Sequence, residues 1–161
     1  MPSPNDLRTA MWQALRTDMT VMAGLESEGG FARPLTCQFD ESGDQGPIWF
    51  FTATNTSLVS ALTSASDGHL AFASKDHSLF ATIEGTFMLR NDPLMIERLW
   101  NPFVAAWYEE GKSDPKLALV RFEPRSAKIW QNESSLWAGI KMLFGADPKD
   151  DYREKVADVR L

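Results

Sequence analysis

The sequence predicts a mainly β fold of the α+β class, with about six antiparallel strands and a few short helices. Two observations support this prediction. Segments in which apolar and polar residues alternate follow one another in hairpin order along the 161 residues. The helical segments between them are few and short, which favours an antiparallel sheet or barrel over a doubly wound sheet. The common glycine-rich nucleotide-binding motifs do not occur.

The first half of the chain is predicted to form one helix and then three strands. Apolar residues recur at helical spacing over 5–17, behind Ser3 or Asn5 as the capping residue. The segment "ESGDQG" at 41–46 has the composition of a hairpin turn. The three predicted strands are 20–27, 31–40 and 47–53.

Pro34 and Gly85 predict irregularities in two strands. Pro34 has no N–H to donate to a ladder, so strand 31–40 is expected at a sheet edge, at a bulge or at a ligand-facing break. Gly85 interrupts the clearest strand of the chain, 79–90, and therefore predicts a bulge or a close backbone approach.

The second half of the chain is predicted to continue with helices and strands in a single domain over 1–161. The charged tail from Asp147 to Leu161 is expected to be partly ordered, and no change in composition marks a second domain. Helices are predicted over 56–65, from Asp92 to a stop or kink at Pro102, and over 135–145. The further strands are 69–76, 79–90, and 116–130 as one strand or two.

Composition and charge exclude several classes of protein. The net charge of −6 argues against a nucleic-acid partner or an anionic membrane surface, because both require a basic face. Cys37 is the only cysteine, so an intrachain disulfide and a cysteine metal cluster are impossible. No secretory signal and no apolar run of membrane-spanning length is visible, and we therefore expect a cytoplasmic protein.

A cluster of hydroxyl side chains over 52–57 lies where a predicted strand passes into a predicted helix. Asn55, Thr56 or Ser57 can cap the free N–H groups of the helix, and this explains most such clusters. Hydroxyls at a helix start also bind phosphate, whose oxygens accept N–H and O–H donors together. Arg33, on the preceding strand, offers phosphate a guanidinium fork, although an ion pair with a nearby carboxylate is the alternative.

Other candidate chemistry is sparse. His69 and His77 are eight residues apart, with no acidic partner at the spacing of a metal site. Cys37 lies within a predicted strand and is interpreted as a small apolar core residue rather than a nucleophile. The sequence therefore offers no catalytic residues and no metal site.

Several longer motifs resemble a known family. They are "FARPLTCQFD", "GPIWFFTATNTSLVSAL", "LFATIEGTFMLRND" and "IERLWNPFVAAWYEEGKSDP", followed by Ile129 and Trp130. In order and spacing they resemble the bacterial general stress proteins of the pyridoxamine 5′-phosphate oxidase-like, FMN-binding split-barrel superfamily. The likeness extends from about Met19 to Phe144.

This resemblance implies a six-stranded antiparallel split β-barrel with flanking helices, its core at about 19–131 and a C-terminal helix and tail at 135–161. It implies a homodimer that binds FMN, with FAD as the alternative, non-covalently at the subunit interface. Two further functions remain open: a flavin-dependent oxidoreductase of a small molecule, and a cofactor-free interaction protein. The C-terminal Arg/His pattern of the true pyridoxamine phosphate oxidases is not recognisable, so that reaction is not expected.

The resemblance also assigns roles to individual residues. Arg33 would lie near the phosphate or ribityl chain, Trp100 would cover the pocket, and Phe80 and Trp130 would approach the ring from the partner subunit. The remaining residues expected around the flavin are Pro34, Leu35, Phe51, Thr52, and the phosphate-binding pair Thr56 and Ser57.

One position departs from the family pattern. Relatives commonly carry a lysine where this chain has Leu58, and a missing cation removes a charge-assisted phosphate contact worth roughly 1.5–3 kcal/mol. Leu58 is therefore counted among the cofactor-site residues, and we expect weaker FMN binding or the acceptance of a different flavin such as FAD.

Overall fold

The computed structural model describes residues 2–29, 31–40, 45–132, 143 and 156–161, and shows an antiparallel sheet curled into a nearly closed six-stranded barrel. In the described part of the chain, four α-helices accompany the sheet: α1 (Pro4–Asp18), α2 (Ser57–Ala61), α3 (Pro93–Leu99) and α4 (Pro102–Ala105). The strands are β1 (Thr20–Leu25), β2 (Ala32–Thr36), β3 (Ile48–Ala53), β4 (Ser66–Ala73), β5 (Leu79–Leu89), β6 (Leu117–Gln131) and β7 (Val156–Arg160).

Among the residues that the structure describes, one isolated bridge joins the two ends of the sheet and closes the barrel. Its strands follow the order β2-β1-β4-β5-β6-β3, and every pairing is antiparallel. The end strands β2 and β3 meet at an isolated bridge, where Gln38 and Trp49 exchange backbone hydrogen bonds of 2.8 and 2.9 Å. The predicted split barrel is thus confirmed, and Pro34 lies on an edge strand, one of the three positions expected for it.

The seventh strand was not predicted. Strand β6 pairs with β5 along one side, and its other side is divided between β3 at 117–122 and β7 at 126–130. The end of the charged tail is therefore part of the sheet. The predicted helix 135–145, residues 41–44 of the predicted turn, and the rest of the tail up to residue 155 lie outside the described residues, apart from Leu143, which is exposed.

Helix α1 covers the main core of the barrel. Ser3 is its cap: Ser3 Oγ accepts the N–H of Asp6, and the Asp6 carboxylate accepts the N–H of Ser3 at 2.8 Å. The apolar side of the helix is buried against the interior of the sheet, and Trp12 packs edge-on to Phe39. The fully buried residues of this helix are Leu7, Met11, Trp12 and Leu15.

A second, smaller core lies on the outer side of β3, beneath α3 and α4. The predicted helix from Asp92 divides here, because Asn101 Oδ1 accepts the N–H groups of Phe103 and Val104 and so caps a new helix. Pro102 is thus the first residue of α4, and it does not end α3, whose last residue is Leu99. The buried residues of this second core are Trp49, Ile96, Leu99, Val104, Tyr108, Leu117 and Leu119.

The irregularity predicted at Gly85 is present. The register of β5 and β6 shifts between Glu84 and Gly85, so that Arg125 is the extra residue of a bulge in a single long strand β6. A Cβ atom at Gly85 would collide with the Glu123 carbonyl oxygen and lie 2.5 Å from Phe122 Cζ. Only glycine permits this approach.

Other differences from prediction are at element ends. Helix 56–65 is only the five residues Ser57–Ala61, strand 20–27 ends in a 3₁₀ turn at Glu26–Glu28, and strand 69–76 begins earlier, at Ser66. Among the described residues, no helix has both the length and the apolar character that a membrane span requires.

Replacing Gly85 with alanine is expected to destabilise the protein by about 3 kcal/mol, because the new methyl group meets both backbone and a buried ring. Urea denaturation followed by circular dichroism measures this loss. Ser126→Ala, on the neighbouring strand and partly exposed, is the control and should change stability by less than about 0.5 kcal/mol. Equal stability of the two variants would contradict the tight packing at Gly85.

Cys37 is expected to be unreactive in the native protein. Its side chain is fully buried, and burial raises the pKa of the thiol to about 12, so the nucleophilic thiolate is absent at neutral pH. A colorimetric thiol reagent should detect no cysteine at pH 8 before unfolding and one per chain in denaturant. Rapid modification of the folded protein would show that the thiol is accessible.

Candidate functional site: a cleft at the barrel seam

A cleft of about 380 Å³ lies on the outer face of the barrel, where β2 and β3 separate beyond their bridge and α4 packs alongside. Its walls combine apolar, aromatic and hydroxyl side chains, and none of the residues that line it is charged at neutral pH. They are Pro34, Leu35, Thr36, Gln38, Phe51, Thr52, Ala53, Thr56, Phe103, Val104, Trp107 and Tyr108.

The alternation of β3 builds one wall of the cleft. Phe50 points into the main core, so Phe51 points outward to the second core. There its ring lies 6.0 Å from Trp100 and 6.4 Å from Tyr108, edge-on to both. The aromatic wall is thus held in place by packing from behind.

Tyr108 fixes the backbone at the end of this wall. Its hydroxyl donates a 2.6 Å hydrogen bond to the carbonyl oxygen of Thr52. Burial, and to a smaller extent the charge of Asp114, raises the pKa of Tyr108 to about 12. The hydroxyl therefore stays protonated at neutral pH and acts as a donor rather than as a base.

The hydroxyl cluster is partly a helix cap. Thr56 Oγ1 accepts the N–H of Val59 at 3.3 Å and donates to the Ala53 carbonyl at 2.8 Å, which is the capping role considered from the sequence. Ser57 is different, because its side chain is exposed and its Oγ lies 3.5 Å from Nη2 of Arg33. Neither Arg33 nor Ser57 lines the cleft, but their chain neighbours Pro34 and Thr56 do, so Arg33 and the helix start meet beside its edge.

Arg33 also makes the ion pair considered as its alternative role. Its Nη2 contacts Oε2 of Glu28 at 2.5 Å, and its Nη1 donates to the Ala23 carbonyl at 3.2 Å. The hydrogen bond from Arg33 is the main reason why the pKa of Glu28 lies below its usual range. The guanidinium is therefore tied to β1 and its following 3₁₀ turn as well as to Ser57.

The structure brings together most of the residues expected to form the site. Arg33 and Ser57 meet beside the cleft, while Trp100 lies behind Phe51 and packs against Tyr108. The predicted residues that line the cleft are Pro34, Leu35, Phe51, Thr52 and Thr56.

Three expected site residues lie elsewhere in the chain. Leu58 is a correction, since its side chain is 1% exposed in the main core and lines no part of the cleft. Phe80 and Trp130 are cross-strand partners on β5 and β6. Trp130 lines a separate groove of about 650 Å³ that includes Lys128 and Asp158, so these two rings do not reach the cleft within one chain.

Sequence reasoning missed the α4 side of the cleft. Helical periodicity places Phe103 on the same side as the buried Ile96, but Phe103 is 85% exposed, as is Trp107. Phe103 lies in α4 and Trp107 in the turn that follows it, and both side chains line the cleft. Gln38 was also missed, and its side chain holds Asn101 by a 3.3 Å hydrogen bond.

Comparison with known proteins agrees with this architecture. The sequence model of the family described as "Pyridoxamine 5′-phosphate oxidase like" matches residues 6–152. The chain belongs to this family. No curated protein matches the chain at a significant level.

Two solved structures from Xanthomonas are similar along most of their length. A general stress family protein from Xanthomonas campestris pv. campestris is 49% identical, with a TM-score of 0.78 over 84% of this chain and 93% of the other. The general stress FMN/FAD binding protein of Xanthomonas citri is 50% identical, with a TM-score of 0.77 over 81% and 92%. General stress protein 26 from Jannaschia sp. CCS1 is 22% identical and shares the fold, with a TM-score of 0.80 over 99% and 100%.

Removing the Tyr108 hydroxyl is expected to loosen the end of β3. Tyr108→Phe should lower the free energy of unfolding by about 1 kcal/mol and remove the tyrosinate absorbance that develops near pH 12. Ser113→Ala, which removes a hydroxyl that donates to a carbonyl in an exposed turn, is the control and should have little effect. Unchanged stability of Tyr108→Phe would show that the 2.6 Å bond contributes nothing.

Proposed function

We propose that the protein binds a flavin non-covalently in the seam cleft of a homodimer, with FMN as the expected cofactor and FAD as the alternative. The observation that carries the proposal is the meeting of Arg33 and Ser57 at the edge of a cleft with an aromatic wall. A cation and a hydroxyl there suit a phosphate, and the adjoining walls suit a planar ring.

The lining of the cleft fits the chemistry of a flavin. Pro34, Leu35 and Phe51 offer apolar surface to the isoalloxazine ring, while Thr52 and Gln38 offer hydrogen bonds to its polar edge. The volume of about 380 Å³ falls in the lower range of small-molecule pockets. The similarity to the Xanthomonas citri protein, described as FMN/FAD binding, supports the same ligand class.

A second subunit would complete the site. Phe103 and Trp107 stand 85% exposed at the rim of the cleft, and such a pair of bare aromatic rings is typical of a surface that a partner covers. Phe80 and Trp130 lie outside the cleft of their own chain, so we infer that they reach the ring only from the partner subunit.

The residues of the cleft bind and orient rather than catalyse. None of those that line it is a carboxylate, histidine, lysine or cysteine, and Tyr108 stays protonated. When bound, the flavin would supply the electron chemistry. This favours a flavin-binding general stress protein over an enzyme with its own acid–base residues, and a cytoplasmic location remains our prediction.

Arg33→Ala is expected to weaken FMN binding at least tenfold, roughly the value of one charge-assisted phosphate contact, and to leave riboflavin binding nearly unchanged. Quenching of flavin fluorescence on titration measures both affinities. Arg125→Ala is the matched control, since Arg125 pairs with Asp67 instead, at 2.8 Å. Equal affinities of Arg33→Ala and Arg125→Ala for FMN would show that the phosphate is held elsewhere.

The wild-type protein should bind FMN with micromolar rather than nanomolar affinity, because Arg33 is already paired and Leu58 supplies no charge. The same fluorescence titration decides this point. A nanomolar dissociation constant would contradict it, and a protein that takes up neither FMN nor FAD would contradict the proposed function.

Mixing two defective variants should restore flavin binding if each site combines both subunits. Arg33→Ala and Trp130→Ala homodimers would each bind poorly, but their heterodimer would contain one intact site. After subunit exchange, about a quarter of the wild-type number of sites should return. Equilibrium dialysis with FMN counts them, and light scattering confirms the dimer. Recovery of no sites, or a monomeric protein, would contradict the shared site.

A further inference from the structure

The ion pair of Arg33 and Glu28 lies beside the cleft and is largely withdrawn from solvent. The Arg33 side chain is 24% exposed and that of Glu28 is 17% exposed. Glu28 Oε1 is buried and makes no hydrogen bond of ordinary geometry, so the guanidinium provides the main compensation for this carboxylate. Pulling Arg33 away would leave a largely buried carboxylate without its main compensating partner, which is costly.

The positive charge of Arg33 is consequently already balanced by the carboxylate of Glu28. Its Nη1 is held by Ala23 and its Nη2 by Glu28 and Ser57, so a ligand can share the group but not readily displace it. The residues lining the cleft supply no other charge. A phosphate at this edge would therefore be attracted by Arg33 and repelled by Glu28, whose carboxylate contacts the same guanidinium nitrogen that faces Ser57.

We propose that Glu28 is a positioning residue that determines ligand specificity: it holds Arg33 toward Ser57 and lowers the preference of the cleft for a dianionic phosphate monoester. This proposal rests on the proposed function and extends it. A neutral ligand such as riboflavin is indifferent to Glu28, whereas the phosphate monoester of FMN, with two charges, is affected most. Glu28 thus lowers the affinity for FMN relative to the affinity for riboflavin.

The test compares wild-type protein with Glu28→Gln, whose amide oxygen can still accept a hydrogen bond from Arg33. Glu28→Gln should bind FMN about tenfold more tightly and riboflavin within about twofold of wild type, and its FMN affinity should fall more steeply with salt. Asp40→Asn is the matched control, because Asp40 is 15% exposed and pairs with Arg98 at 3.0 Å. It should leave both affinities unchanged.

An equal change in the two flavin affinities, an unchanged FMN affinity, or the same gain in Asp40→Asn would overturn the role of Glu28. A second readout, the stabilisation of the protein by inorganic phosphate, does not depend on flavin binding. At constant ionic strength, phosphate should raise the melting temperature of Glu28→Gln by about 2 °C more than that of wild type. The double variant Arg33→Ala/Glu28→Gln should lose this gain.

The two readouts separate failure of this inference from failure of the proposed function. If neither protein binds a flavin but phosphate stabilises only Glu28→Gln, the proposed function is wrong and the role of Glu28 is supported. If flavins bind and both readouts are the same for the wild type and the Glu28→Gln variant, the proposed function stands and the role of Glu28 is wrong.

Discussion

The incomplete closure of the barrel is the constraint on which the cleft depends. Strands β2 and β3 are the two ends of the sheet, and the backbone pair of Gln38 and Trp49 is the isolated bridge between them. Because the strands separate beyond that bridge, the outward side chains of both line a gap rather than a continuous sheet. Trp49 and Phe51 also pack into the second core under α3 and α4, which anchors the β3 side of the gap.

Most of the fold could be predicted from the sequence because the patterns that indicate its strands and irregularities are local. Alternation predicted about six strands, Pro34 predicted an edge, a bulge or a ligand-facing break, and Gly85 predicted a bulge or a close backbone approach. Each of these predictions depends on the backbone chemistry of one residue or one short run. The seventh strand has only five residues in a charged tail. Its place is decided by the free side of β6 at 126–130, which no local pattern reveals.

The candidate site was predictable only in part, for a similar reason. Family resemblance identified β2 and β3 residues such as Pro34 and Phe51, while Phe103 was grouped with buried residues because helical periodicity alone cannot distinguish a buried face from an exposed one. The pairing of Arg33 was left open between phosphate and carboxylate. The structure shows both neighbours, Ser57 and Glu28, on one guanidinium, and only the three-dimensional placement of the 3₁₀ turn after β1 reveals this arrangement.

The docking of β7 also has a consequence for the solution behaviour of the protein. Without this strand, residues 126–130 of β6 would present a row of unsatisfied N–H and C=O groups beside the partly exposed ring of Trp130. A strand of another chain can pair with such an open edge, and this pairing commonly starts aggregation. The final N–H, that of Leu161, bonds the Arg125 carbonyl at the bulge, so the protection extends to the point where the ladder of β6 becomes irregular. Strand β7 thus covers a sheet edge that would otherwise be open to pairing with other chains.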